Sequence, residues 1–333
     1  MKKVVFTRLI VCFLSVMAGM VLVSCHRIEL KEPHSGVYVK FEIQVNPDII
    51  SMHEESYPFP AIVRGSMPTA MQVCFYDVVS HELAYETFIS SAGDFVDVSA
   101  GTYDVVAYSL NNEVTNVTGT STRAGSYAYT SGPGSVLSLT RSDDGEVRDP
   151  LYYPVIYEPD HLYVGRQENV VIPVVPEDSR IVVIDLDVTP LLESYTIQLL
   201  NVVGAERIRS ASCYVTGQAP QRYLWDKRYP GNLCAVVFEA PVNVEDGTII
   251  TAFNTFGRFN QVSAGVYLNL LVDDVNGRKY QWVYDITEQF DNPDNEKHDI
   301  VIISAIVIPD KEEGGFNPSV SDWNAEIITV PLT

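Results

Sequence analysis

The chain has 333 residues, 43 acidic and 22 basic, for a formal net charge of −21. No basic stripe is available to neutralise phosphates, so nucleic acid is excluded as a partner. The length fits two domains with a core each, and 19 tyrosines among many Val and Thr residues favour strands over helices.

Lys2, Lys3 and Arg8 form a basic start, Leu9 to Val23 is an almost unbroken apolar run, and Ser24 and Cys25 follow. This is the layout of a bacterial secretory signal. The run is shorter than the roughly 20 residues that cross a bilayer as a helix. The mixed charges after it (Arg27, Glu29, Lys31, Glu32) are not a stop-transfer block. Leu22-Val23-Ser24-Cys25 resembles the lipobox of bacterial lipoproteins, which implies cleavage before Cys25 and its acylation by groups such as palmitate. Residues 1–24 carry three basic and no acidic side chains, so their removal takes the charge from −21 to −24. Such a surface repels anionic lipid. The lipid on Cys25 is therefore the expected membrane anchor, with 25–35 as a lipidated tether.

Val37 to Val45 alternates cleanly, with Val37, Val39, Phe41, Ile43 and Val45 on one face and Lys40, Glu42 and Gln44 on the other, as in a half-buried strand. Strands are predicted over 70–77, around Phe88, and on both sides of Gly101. Residues 111–135, rich in Asn, Thr, Ser and Gly, read as a long surface loop or a poorly ordered insertion. The Tyr- and Pro-rich stretch 149–159 cannot be a central strand throughout. Strands resume at 162–164 and 170–175, and Ile181 to Val188 reads as a buried run after a turn at 176–179. The expected division follows: an N-terminal β-sandwich over 36–178 and a C-terminal one over 179–309.

The second half echoes the first. Val262-Ser263-Ala264-Gly265-Val266-Tyr267 differs from Val98-Ser99-Ala100-Gly101-Thr102-Tyr103 at one position, in a similar β-rich setting, which points to two related β-domains. Asn276-Gly277 predicts a hairpin, and 300–308 a closing strand. Residues 310–333 form a polar linker and an apolar terminal strand, expected to pair within the chain or with another molecule.

Catalytic motifs are missing. His81-Glu82 is not followed by His at 85, and no Walker loop, GxGxxG or GxSxG elbow occurs. Asp273-Asp274-Val275-Asn276-Gly277 has Val272 where a calcium loop requires Asp, so it reads as a turn. Cys74, Cys213 and Cys234 sit in apolar stretches and read as core residues, with a Cys213–Cys234 bridge as the alternative. Trp225, Trp282 and Trp323 read as core or edge packing, or else as sugar-stacking groups. No enzyme, cofactor or metal site is expected.

The lipobox, the paired β-domains, Ala100-Gly101-Thr102-Tyr103-Asp104-Val105, Phe253-Asn254-Thr255-Phe256-Gly257-Arg258 and the closing stretch from Gly314 to Trp323 resemble the Bacteroidales FimB-type fimbrial anchor and accessory lipoproteins. The resemblance implies an all-β fold of two tandem transthyretin-like (Greek-key) sandwiches. It also implies a non-catalytic protein at the outer membrane or cell surface that joins fimbrial subunits by β-strand addition. A glycan-binding surface lipoprotein is the alternative.

Overall fold

The computed structural model describes residues 37–43, 67–110, 113–139, 142–143, 146–147, 151–174, 181–229, 232–258, 265–292, 294–295, 299–303, 306–309 and 328–329. Cys25 and the expected signal and tether lie outside them. The strands are β1 (Val37–Ile43), β2 (Ala70–Asp77), β3 (Leu83–Ser90), β4 (Asp94–Val96), β5 (Gly101–Ser109), β6 (Thr115–Thr118), β7 (Tyr127–Thr130), β8 (Val136–Leu139), β9 (Ser142–Asp143), β10 (Glu146–Val147), β11 (Leu151–Tyr157), β12 (Tyr163–Ile172) and β13 (Val182–Pro190). They continue with β14 (Glu193–Leu199), β15 (Val202–Val203), β16 (Ile208–Gln218), β17 (Gln221–Tyr223), β18 (Cys234–Glu239), β19 (Val242–Asn243), β20 (Thr248–Thr255), β21 (Tyr267–Asp274) and β22 (Lys279–Asp285). A short helix, α1 (Thr287–Asp291), precedes β23 (Asp299–Ile302), β24 (Ile306–Val307) and β25 (Ile328–Thr329). The architecture is all-β, with two β-sandwich-like units.

The first unit is a seven-stranded sheet in the order β3-β2-β5-β12-β13-β1-β4. It curls until its two end strands, β3 and β4, touch. The alternation read in β1 supplies the reason: Val37, Val39 and Phe41 turn inward with Val73, Val105, Leu186 and Val188, while Lys40 and Glu42 face out. Each fully buried Val, Leu or Phe of this interior stabilises by about 1.5–3 kcal/mol relative to exposure. The outer face of the sheet's middle is also covered. Cys74, Tyr76, Val106, Tyr108 and Val164 pack there with Ala128, Leu224 and Phe256.

The second unit packs a seven-stranded sheet, β25-β22-β21-β16-β18-β11-β8, on a four-stranded one, β19-β20-β14-β23. Ile197, Leu199, Ile249 and Phe253 meet Val215, Val236, Leu268 and Trp282 between them. Strand β11 behaves as its proline requires: Leu151 to Pro154 pair with β8 and Val155 to Tyr157 pair with β18, so neither partner runs its full length.

Three expectations need correction. Residues 182–190, placed after the division at 178 and 179, form β13, which pairs with β12 and lies parallel to β1 in the first sheet. The run is not buried on both faces either, because Val183, Asp185 and Asp187 are exposed while Ile184, Leu186 and Val188 are inside. Residues 111–135 are no simple loop: β6 and β7 pair with each other and then with β17, a strand from far along the chain. Asn116 and Thr118 belong to the outer side of a ribbon whose inner side includes Val117 and Ala128.

The echoed motif has a common structural cause. In each copy the glycine lies under the tyrosine ring two residues later. A Cβ on Gly101 would sit 2.8 Å from the Tyr103 ring, and one on Gly265 2.7 Å from the Tyr267 hydroxyl. Tyr103 is the third residue of β5 and Tyr267 the first of β21, and each strand has antiparallel neighbours on both sides. Tyr103 is held by a hydroxyl hydrogen bond to the Ser99 carbonyl at 3.1 Å and an edge contact with Phe75. Gly101→Ala and Gly265→Ala are each expected to destabilise by about 1–3 kcal/mol, read as a lower denaturant midpoint at unchanged slope. A midpoint equal to wild type for both would show that the rings move aside freely.

Candidate functional site

Two surfaces stand out: a sheet edge, and the ribbon at the junction of the units. The edge is β22. On one side all seven of its residues pair with β21. On the other, Trp282 and Val283 pair in parallel with Ile328 and Thr329 of β25. Of the terminal strand expected from sequence, the described residues Ile328 and Thr329 pair within their own chain. Strand edges carry rows of backbone donors and acceptors and are natural docking sites for another strand. The linker and Trp323 lie outside the described residues.

The ribbon has the order β17-β7-β6. It is fixed to the first sheet by three arginines. Arg123 pairs with the buried Asp104 and lies with its Cζ 4.3 Å over the Trp225 ring. Arg166 of β12 donates from Nε to the Leu224 carbonyl. Arg222 donates to the Leu191 carbonyl at 2.6 Å and stacks 5.0 Å over Tyr229. Burial and the neighbouring Arg222 push Arg166 down to about 10, and burial with Arg166 and Arg222 also lowers Lys227.

The residues singled out for chemistry are placed in structural roles. Asp274 is buried and its carboxylate accepts the Asn276 and Arg278 N–H groups at 2.8 Å, so it closes the predicted hairpin turn. His81 is exposed in the turn before β3, with a left-handed φ of 59°. Trp282 is a core residue and Trp225 half-buried. Cys74, Cys213 and Cys234 are free and buried. Cys213 faces Phe238 and Cys234 faces Gln218 in the β16–β18 pair, so the alternative bridge is not formed. Burial pushes the Cys74 thiol up to about 12 and raises the other two, which makes all three poor nucleophiles. Among the described residues no group of three or more His, Cys, Asp or Glu is placed to hold a metal ion, and no helix is long and apolar enough to cross a membrane.

A family defined as a domain of unknown function, DUF5119, matches residues 62–239, just over half of the chain. The chain belongs to the DUF5119 family. No curated protein matches it in sequence. Among solved structures, a Bacteroides ovatus protein described as a candidate adhesin superposes with a TM-score of 0.57 at 16% identity, covering 85% of this chain and 95% of that one. The fimbrial anchor protein Mfa2 from Porphyromonas gingivalis gives a TM-score of 0.48 at 14% identity, covering 80% and 90%. The family reached is thus DUF5119 and not the FimB-type family suggested by the motifs, and the link to adhesins is one of fold. The DUF5119 match runs from before β2 to the end of β18, so it spans strands of both seven-stranded sheets.

Within the DUF5119 match, the crossing from β11 to β12 is pinned on both sides. Glu158 accepts the Asn254 N–H of β20 at 2.8 Å, and Asp160 accepts the Thr115 N–H of β6 at 2.8 Å. Burial first, and then the nearby Asp160, push the Glu158 carboxyl up to about 7, against the hydrogen bond from Asn254. A carboxyl whose pKa is raised by folding contributes full stability below its unfolded pKa, and loses it as pH rises through the folded value. Between pH 4.5 and 7, the ordinary and folded values for Glu158, that loss is about 1–3 kcal/mol. Glu158→Gln is expected to be more stable than wild type at pH 8 and equal to it at pH 4. Parallel urea titrations at the two pH values check this, and an equal shift at both would assign the effect to packing.

Proposed function

We propose that this protein is a non-catalytic lipoprotein, held at the outer membrane or cell surface through acylated Cys25. It acts as an anchor or accessory subunit of a fimbrium. In this reading the two units are transthyretin-like sandwiches, and another subunit joins by β-strand addition at a sheet edge. The β22 edge is the candidate, because it takes a strand in parallel at Trp282 and Val283. That edge is the observation that carries the reading. The lipobox at Leu22 to Cys25 and the fold shared with the Bacteroides ovatus candidate adhesin support it. The described residues give no constellation of nucleophile, base and oxyanion donor to argue for chemistry.

Cys25→Ala is expected to abolish palmitate labelling and move the protein from the membrane to the soluble fraction. Retained labelling in that variant would count against the anchor. Gene deletion is expected to shorten or release fimbriae, and pull-down of the tagged wild-type protein to recover a fimbrial subunit. Fimbriae unchanged in length and retention after deletion would overturn the assembly role.

A further inference from the structure

The outer face of the ribbon is a platform of tyrosines that neither core absorbs. Antiparallel partners put their side chains on the same face, so the pairing defines two rows. One runs Tyr223, Tyr127, Thr118, and the next Gln221, Tyr129, Asn116. Ala128, Arg222 and Val117 lie between them and point the other way, toward the first sheet. The tyrosine rings are half-buried and adjacent: Tyr127 and Tyr129 have centroids 6.0 Å apart, and Tyr127 and Tyr223 5.7 Å.

Charge completes the platform. The Tyr223 N–H donates to the Arg228 carbonyl at 3.0 Å, which places Arg228 beside Tyr223 as an extension of the first row. Its guanidinium lies 4.6 Å over the Tyr223 ring. The side chain is 60% exposed, and Asp226 engages its Nε, leaving both Nη groups without a partner among the described residues. Arg166, Arg222 and Lys227 crowd the same turn, with Glu193 and Asp226 as counter-ions. In a chain of net charge −21 this turn is a local excess of positive charge.

We infer that this face binds an acidic oligosaccharide. Tyr127 and Tyr129 pack on sugar rings, Tyr223 carries the Arg228 guanidinium on its face, Gln221 and Asn116 hydrogen-bond hydroxyls, and the free Nη end of Arg228 takes the carboxylate or sulfate. Flat aromatic faces suit the apolar faces of sugar rings, and a guanidinium fork matches an anionic oxygen pair. The two rows belong to the ribbon's face, so an occupant there meets rings, amides and a guanidinium and not the backbone donors and acceptors that a strand would pair with.

The test is isothermal titration calorimetry on the full-length protein in detergent with three hexasaccharides: a hyaluronan fragment carrying carboxylates, a heparin fragment carrying sulfates, and neutral maltohexaose. At least one acidic sugar is expected to bind about tenfold more tightly than maltohexaose. Which of the two binds identifies the anionic group. Arg228→Gln is expected to weaken the acidic sugar about tenfold, with an unchanged thermal unfolding midpoint because the side chain is exposed. Tyr129→Ala is expected to weaken all binding, and its circular dichroism melt separates that from unfolding. The inference is overturned if no acidic sugar binds at millimolar concentration, if maltohexaose binds as tightly, or if Arg228→Gln binds like wild type.

Discussion

The structure depends on covering the outer face of β2, β5 and β12. The inner side of these strands forms the first core, and their outer side presents Tyr76, Val106, Tyr108 and Val164, all buried. Left bare, that face would be a contiguous apolar patch of the kind folded proteins rarely show. The cover is a ribbon drawn from both halves of the chain, with β6 and β7 from the first and β17 from the second. This one burial brings Arg222, Trp225 and Leu224 onto the first sheet and fixes the two units at their junction. It also decides which ribbon residues are left facing out.

The polar groups follow the same logic. A chain with 43 acidic residues offers many carboxylates that might have formed a site. Several instead satisfy backbone donors at points where the chain turns. Asp274 closes the β21–β22 hairpin and Asp160 caps the start of β6. Asp77 accepts the Val79 and Ser80 N–H groups, and those two bonds lower its pKa. Each such bond removes an orphan donor that would otherwise have to be left to solvent. Sequence clusters of acids at these places report turn geometry and not metal binding.

What was legible in the sequence was local. The alternation of β1, the hairpin at Asn276-Gly277, the proline-limited strand β11 and the inert cysteines all follow from residue type and spacing, and all are seen. Long-range pairing was not legible. Nothing in Val182 to Val188 states that its partner is β1, so the run was read as opening the second half. Residues 111–135 have a loop-like composition because one side of a short ribbon faces solvent. The period-two pattern of Tyr127-Ala128-Tyr129-Thr130 was the available signal. The platform needed a further fact, the pairing of β7 with β17, which only the fold supplies.

The parallel pairing of β1 with β13 has a consequence for how the molecule is made. Val37 and its partner Val182 are separated by more than two-fifths of the chain. The ribbon that covers the same sheet closes only with Tyr223. Contacts this distant form slowly, since the intervening loop must be closed before they contribute. The first sheet is therefore complete only once Pro190 is available, and its cover only once Tyr223 is. β1, the first strand to be made, lacks its parallel neighbour until more than half of the chain exists.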